Sequence, residues 1–466
     1  MYITTPIYYV NAKPHIGHAY TTVAADVLAR FFRLNNKKVF FLTGTDEHGK
    51  KIAEQASAAG LEPEVFCGQI ADQFKLTWQL LNISHDDFIR TTEARHSQLV
   101  KLFLTKLKDK NLLYEKEYEG LYCVGCEKFV TPKELVDGLC PDHKKAPEAV
   151  REKNWFFKLE QFLPILQTKI EQKEIKIFPS ARSKEVFGLF KQNLENFSIS
   201  REKVKWGIPL PWDKSQTVYV WGDALLNYLT AVYHGDGQEL KENDLIFWPP
   251  DYQFMAKDII KFHAIYWPAM LLALDLPLPK KIVSHGYFII NGQKMSKTLG
   301  NIISPEDLVK QFGVDASRYL LLSQFPFGSD GDFDLAKVKT AYTADLVNGL
   351  GNLVRRVQGL SKIRKLAPAD TASQAEYQAY SKLIIEAKFD QVIQFIKQTI
   401  ARVDKLIENN KLWELKKDQN QTEKYASLCQ QLADQLALIV TMIEPFMPTV
   451  AEKIRNQTIE ILFPRI

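Results

Sequence analysis

A chain of 466 residues, 46% hydrophobic and 25% charged, is long enough for about three cores, and its 22 Gly and 21 Pro exclude a fibre or a low-complexity tail. Sixty basic against 55 acidic side chains leave +5 at neutral pH, which neither demands nor excludes a nucleic-acid partner. Five cysteines fit a reducing compartment and exclude a disulfide scaffold. No basic leader precedes Met1-Tyr2-Ile3, and the apolar run Ala264 to Leu274 is too short to span a bilayer, so a soluble cytoplasmic protein is expected.

Met1 to Val10 reads as a strand and Asn11 to Pro14 as a loop, after which Val23, Val27, Leu28 and Phe31 recur at helical spacing. Val39 to Leu42 is a second strand, followed by the polar turn Thr43 to Gly49 and a helix through Ala59. This alternation predicts an α/β fold: a Rossmann-type parallel sheet wound by crossovers, with ligands at the carboxyl ends of its strands. Residues 114–214 break the rhythm, carry three of the five cysteines and read as an insertion. The wound pattern resumes with Thr217 to Trp221, the apolar helix Ile259 to Leu274 and the strand Ile282 to Ile290. Near the C-terminal end the character changes. Phe389, Ile393, Ile396, Ile400, Val403 and Ile407 form one helical stripe, as do Leu432, Leu436, Ile439 and Ile443, so a helical bundle is expected. The expected domains are 1–113 and 215–280 for the two halves of the wound domain, 114–214 for the insertion, 281–345 for a linking region and 346–466 for the bundle.

Three constellations carry chemistry. Pro14-His15-Ile16-Gly17-His18 stands between a strand and a helix, where backbone N–H groups, the helix dipole and two imidazoles suit an anion. Taken alone, it fits two surface histidines in a turn better than an anion site. Gly292-Gln293-Lys294-Met295-Ser296-Lys297-Thr298-Leu299-Gly300 follows the strand ending at Ile290 and brings two ammonium groups to a glycine-bounded loop able to close over a polyphosphate. A solvated basic loop is the plain alternative. Cys123-Val124-Gly125-Cys126 and Cys140-Pro141-Asp142-His143 supply four ligands at tetrahedral reach. A full set of four protein ligands marks a structural site, and the His among them favours zinc, one ion per chain, over an iron–sulfur cluster. Cys67 and Cys429 read as plain core residues.

The first two motifs, in this order at opposite ends of one wound domain, resemble the HIGH and KMSKS motifs of class I aminoacyl-tRNA synthetases, with Thr298 in place of the final serine. The resemblance implies attack of an amino-acid carboxylate on the α-phosphate of ATP, with magnesium bridging the phosphates. Chemistry of this kind needs positioning and charge neutralisation more than a covalent nucleophile. It implies catalysis by His15, His18, Lys294 and Lys297, and ATP binding by His15, Gly17, His18, His285, Gly286, Lys294, Ser296 and Lys297.

Within the class there is no room for a large editing insertion, and no cysteine lies beside the first motif. Pro6 to Asn11, Thr43 to Gly49, Tyr219 to Ala224, Lys257 to His263 and His285 to Tyr287 resemble the methionyl-tRNA synthetase family across essentially the whole chain. That resemblance implies a methionine pocket of Ile7, Tyr9, Trp221, Ala224, Leu225, Tyr228, Ile259 and His263, with Asp46 holding the substrate ammonium and Arg201 pairing with Asp46. A polarizable thioether suits such aromatic surroundings. Rejection of homocysteine, one methyl smaller, is expected to occur by cyclisation in the same site. The bundle is implied to read the anticodon of methionine and initiator tRNA through Asn352, Arg356 and a stacking Trp413, although Leu412 stands where the family commonly has proline. Lys362, Arg364, Lys365, Lys416 and Lys417 are candidate phosphate contacts. A monomer is expected, without DNA or membrane partners. Two rival readings are a class I enzyme for another apolar amino acid and a tRNA-binding relative without catalysis.

Overall fold

A computed structural model describes residues 1–141, 144–192, 194–290, 292–295, 301–360, 366, 369, 375–456 and 461–466, with backbone alone at Lys133, Gln293 and Lys294. The chain divides into two units: Met1–Lys13, Val39–Leu76 and His85–Ser284 form the first, and Pro14–Lys38, Thr77–Ser84 and His285–Ile466 the second.

The first unit is built on a six-stranded sheet in the order Asp87–Arg90, Phe40–Asp46, Tyr2–Tyr9, Tyr252–Ala256, Lys281–His285, Lys176–Phe178. Tyr2–Tyr9 pairs in parallel with both of its neighbours, and its register places Tyr9 opposite Asp46. The expected Rossmann-type sheet is therefore present. Gly44 is required there, because a Cβ would lie 2.0 Å from the Ile89 carbonyl oxygen. The cysteine-bearing segment forms a second, antiparallel sheet: Leu113–Cys123 pairs with Lys128–Val130 and with Glu148–Phe157, which pairs in turn with Phe197–Ser198. Lys176–Phe178, from the same stretch of sequence, pairs in parallel with the Lys281–His285 strand of the main sheet.

Three expectations for local structure are corrected. Thr217 to Trp221 is a two-residue strand, antiparallel to Ser200–Arg201, that turns at once into the helix Val220–Ala224. The apolar helix expected over Ile259 to Leu274 is not one regular helix: a 3-10 turn at Lys257–Ile259 leads through residues 260 and 261 into a π segment, Phe262–Tyr266, before the α-helix Trp267–Ala273. Pro268 supplies a physical reason, because it lacks the N–H of a regular helical bond and its ring crowds the preceding turn. The strand expected over Ile282 to Ile290 is two strands, Lys281–His285 and Phe288–Ile290, broken at Gly286. A Cβ there would lie 2.3 Å from the Ser329 carbonyl carbon, so only glycine admits that backbone.

The second unit holds the helix Ile16–Leu34, a small sheet ordered Gln293–Lys294, Phe288–Ile290, Gly331–Asp332, and the helical bundle. Every residue of the expected stripes is buried, on Phe389–Asn409 and on Thr422–Ile443. The helical stretch Gln419–Ile443 has the length and apolar composition to cross a membrane, but 56% of its apolar window is buried in the fold, as befits a core helix. Arg318 ties this unit together. It is fully buried, donating from Nη2 to Asp26 Oδ2 (2.6 Å) and to the Pro445 carbonyl (2.9 Å), from Nε to Phe446 (2.9 Å) and from Nη1 to Leu81 (3.0 Å).

Candidate functional site

In the second unit, His15 is the N-cap of Ile16–Leu34, with extended backbone. Its Nδ1 accepts from the Gly17 N–H (3.1 Å), while His18 Nδ1 accepts from the His15 N–H (3.3 Å). The two rings stack with centroids 3.8 Å apart. A neutral ring that accepts at Nδ1 carries its proton on Nε2, so each imidazole is set up as a donor at its far edge. Burial, and then the neighbouring His15, push the His18 pKa well below its ordinary value and keep it neutral. Gly17 is the residue that lets His15 fold over the helix start, because a Cβ would lie 2.9 Å from that ring; Met295 Cε would be 3.5 Å from the same point. The Gln293–Lys294 strand thus leads to a residue beside the histidine pair. Ser296 and Lys297 lie outside the described residues, as does the Lys294 side chain. His285 is buried and engaged at both nitrogens: Nδ1–H donates to the Gly286 carbonyl (2.7 Å), leaving Nε2 to accept from Thr21 Oγ1 (2.6 Å). Burial lowers its pKa to about 4.

In the first unit, Ile7, Trp221, Leu225, Tyr228 and Ile259 share one apolar cluster, and Tyr9 and Trp221 meet in another. Trp221 stacks on Phe262 with centroids 3.7 Å apart, and Ala224 is buried one helical turn onward. His263 sits in the π segment, where Nδ1–H donates to the Ile259 carbonyl (3.0 Å) and Nε2 accepts from the Tyr228 hydroxyl (2.8 Å). Burial lowers the His263 pKa to about 4, so the ring is neutral at physiological pH. Among the buried polar atoms of this unit that have no hydrogen-bond partner among the described residues are the Trp221 indole nitrogen and Asp46 Oδ1.

The electrostatics around Asp46 are unusual. Burial, then the negative charges of Asp223, Glu127 and Glu47, raise its pKa well above the carboxylate range, against one opposing bond from the His48 backbone N–H. Those three neighbours are compensated. Glu47 takes a two-pronged bond from Arg90 (2.7 and 3.0 Å). Asp223 accepts from His48 (2.7 Å) and His96 (2.7 Å), which hold its carboxyl down at about 2 although burial alone would raise it. Glu127 accepts from Tyr9, Tyr122 and the Lys51 N–H. Arg201 does not pair with Asp46, which corrects that expectation: it makes a buried two-pronged pair with Glu152 (2.8 and 3.1 Å) and lies 4.0 Å above the Tyr122 ring. Spacing along the chain singles out neither Glu127 nor Glu152. His48 and Asp223 did carry a signal, since both stand inside the stretches that resemble the family.

Cys123 ends a strand, Cys126 lies in the following turn, and Cys140 closes the group; all three Sγ atoms lie within 4.8 Å of one another, and Cys126 and Cys140 are 3.5 Å apart. Tetrahedral bonds of about 2.3 Å put neighbouring sulfurs about 3.8 Å apart, so the three thiols can hold a metal ion. His143 lies outside the described residues. Cys67 is buried, as expected, while Cys429 is half-buried.

In the bundle, Asn352 opens the helix Asn352–Leu360, and Arg356 donates to Asp404 (2.8 Å) and Glu408 (2.5 Å). Leu412 is fully buried and turns Trp413 outward, 39% exposed. Lys416 is bound to the Gly359 carbonyl (2.7 Å), whereas Lys362, Arg364 and Lys365 lie outside the described residues.

Residues 1–147 and 131–358 match the family model described as tRNA synthetases class I (M), which makes the wound sheet and its histidine-capped helix those of a class I aminoacyl-tRNA synthetase. A methionine–tRNA ligase of Clostridium acetobutylicum is 41% identical over 98% of this chain and 73% of its own length, and one of Streptomyces coelicolor is 40% identical over 97% and 88%. The solved Mycobacterium tuberculosis methionyl-tRNA synthetase in complex with methionyl-adenylate superposes with a TM-score of 0.90 at 33% identity, over 100% of this chain and 97% of that one. The chain belongs to the methionine–tRNA ligase family.

Proposed function

We propose that this chain ligates L-methionine to its tRNA in two steps. A methionine carboxylate oxygen attacks the α-phosphorus of ATP and pyrophosphate leaves. The terminal adenosine hydroxyl of the tRNA then attacks the adenylate carbonyl and AMP leaves. One observation carries the assignment of the amino-acid end: Asp46 Oδ1 is a buried carboxylate oxygen at a strand end with no partner among the described residues. A substrate ammonium would supply the missing charge-assisted bond. Ile7, Tyr9, Trp221, Ala224, Leu225, Tyr228, Ile259 and a neutral His263 would enclose the thioether, whose sulfur packs well on aromatic edges.

His15 and His18 would donate from Nε2 to phosphate oxygens as negative charge shifts toward the leaving pyrophosphate, with the helix N-terminus adding its dipole. Lys294 and Lys297 would hold the pyrophosphate, and Ser296 and the Gly286 backbone would complete the nucleotide contacts. His285, held between Thr21 and its own neighbour, would act by bracing the histidine helix. Magnesium bound with ATP would neutralise phosphate charge. Zinc held by Cys123, Cys126, Cys140 and His143 would fold the knuckle. The bundle would read methionine and initiator tRNA through Asn352, Arg356 and a base stacked on Trp413. A cytoplasmic monomer with domains 1–113, 114–214, 215–280, 281–345 and 346–466 completes the reading. The deciding experiment is amino-acid-dependent exchange of pyrophosphate into ATP with a panel of amino acids. Exchange with methionine is expected; exchange with leucine but not methionine would overturn the assignment.

A further inference from the structure

We propose that Glu127 couples the metal knuckle to the methionine pocket, so that metal and methionine each tighten the binding of the other. The proposal rests on the methionine reading of Tyr9 given above. Glu127 directly follows Cys126, has left-handed backbone (φ 49°) and is only 5% exposed. Few turn residues bury a carboxylate, and this one is fully used. Oε1 accepts from the Tyr9 hydroxyl (2.9 Å) and the Lys51 N–H (2.8 Å), Oε2 accepts from the Tyr122 hydroxyl, and the main-chain carbonyl accepts from the Tyr219 hydroxyl (2.6 Å).

Three of these bonds reach elements that shape the pocket, and the fourth, from Tyr122, stays on the knuckle side. Tyr9 is a pocket residue. Lys51 lies in the first turn of the helix Lys50–Ala58 behind the Asp46-Glu47-His48 turn, and that helix has no side-chain cap of its own from Gly49. Tyr219 caps the short helix that carries Trp221 and Ala224. Gly49 makes room for the arrangement, since a Cβ would lie 2.8 Å from the Tyr9 hydroxyl and 2.9 Å from Glu127 Oε1. On the knuckle side, Tyr122 precedes Cys123, and the Lys51 ammonium donates to the Gly125 carbonyl (3.2 Å). The residues that flank Cys123 and Cys126 therefore grip the pocket wall.

A metal ion fixes the relative positions of the sulfurs and so of the 123–127 turn. Without it, Glu127 loses its anchored backbone and the Tyr9 hydroxyl its fixed acceptor. Linkage is reciprocal: methionine packed on Tyr9 must hold Glu127, and through it the turn, by the same factor. A helix cap alone would show no dependence on methionine.

The test uses zinc-loaded protein, a chromophoric chelator to follow zinc release, and calorimetry to follow methionine binding. Saturating methionine is expected to slow zinc release about tenfold, with alanine inert. In Glu127→Ala the protection should fall below about twofold and the methionine Kd rise about tenfold, while Glu127→Gln, which keeps an acceptor oxygen, should restore most of both. Should Glu127→Ala fold poorly, Tyr9→Phe leaves the Tyr122, Lys51 and Tyr219 bonds in place and must also lose the protection. Zinc release indifferent to methionine in wild-type protein that binds methionine would overturn the coupling alone. Protection undiminished in Glu127→Ala would overturn the role of Glu127. A wild-type protein giving no binding heat with methionine would overturn the pocket reading and the coupling with it.

Discussion

Asp46→Asn separates what the residue does for the substrate from what it does to the fold. The substitution keeps the shape and the acceptor for the His48 N–H, but it removes the charge and turns an amide N–H₂ toward the place of the substrate ammonium. A hydrogen bond to a charged group is worth about 1.5–3 kcal/mol, so methionine affinity should fall by about 10- to 150-fold. The unliganded protein should respond in the opposite sense. Because the folded-state pKa of Asp46 is raised, the folded chain holds this proton more tightly than the unfolded chain does. The group therefore imposes a penalty that is absent below the unfolded carboxylate value near 3.9 and fully present above the raised folded value. Removing a buried, half-satisfied carboxylate should stabilise the apo protein by about 1–3 kcal/mol at neutral pH, with the gain shrinking toward acid. Wild-type methionine affinity should also strengthen as pH rises through the raised value. Calorimetric titration with methionine and urea unfolding at pH 5 and pH 7.5 measure both effects. Methionine affinity within about twofold of wild type, or an apo protein less stable than wild type, would refute the reasoning.

Three further substitutions test other parts of the molecule. Arg318→Met strips Asp26 and the Leu81, Pro445 and Phe446 carbonyls of a shared donor and should destabilise the protein by about 3–5 kcal/mol, read as a lowered urea midpoint. Arg318 and Arg30 hold the Asp26 carboxyl below its ordinary value despite burial, so this stability is present at neutral pH and lost as pH falls through the depressed value; in Arg318→Met the acid-side loss should move to higher pH. Tyr228→Phe leaves His263 Nε2 buried without a donor, a cost of about 1–3 kcal/mol that should appear as a raised methionine KM in pyrophosphate exchange; an unchanged KM would remove the pair from the pocket. Trp413→Ala should lower kcat/KM for tRNA charging by about 5- to 150-fold through loss of one stacked base, whereas an equal loss in pyrophosphate exchange would point to damage in the fold.

How far the sequence could be read depended on the range of the interaction behind each feature. The stripes on Phe389–Asn409 and Thr422–Ile443 repeat within a few residues, so periodicity alone located the bundle's core faces. The leading strand and helix, and the clustering of Cys123, Cys126 and Cys140, were legible for the same reason. Where one local signal covered two structures, the reading was too simple. The apolar run from Ile259 looks like one helix until Pro268 breaks its bonding, and the run to Ile290 looks like one strand until Gly286 meets the backbone of Ser329.

The sequence by itself determined the wound sheet, the histidine-capped helix, the cysteine group and the helical stripes, because short-range sterics, hydrophobic period and ligand spacing specify them within a few residues. Only the tertiary structure decided how the buried charges are paired and that Asp46 is among those with an atom left over. Arg201 finds Glu152, 49 residues away, in place of Asp46; Asp223 takes His48 from 175 residues away, and Tyr9 finds Glu127 across 118. Those partners are chosen by strand register and by burial, where an unpaired charge is costly and each pairing alters the electrostatics of its neighbours. Asp46 Oδ1, left by that long-range sorting without a partner among the described residues, is the atom on which the proposed amino-acid end of the function rests.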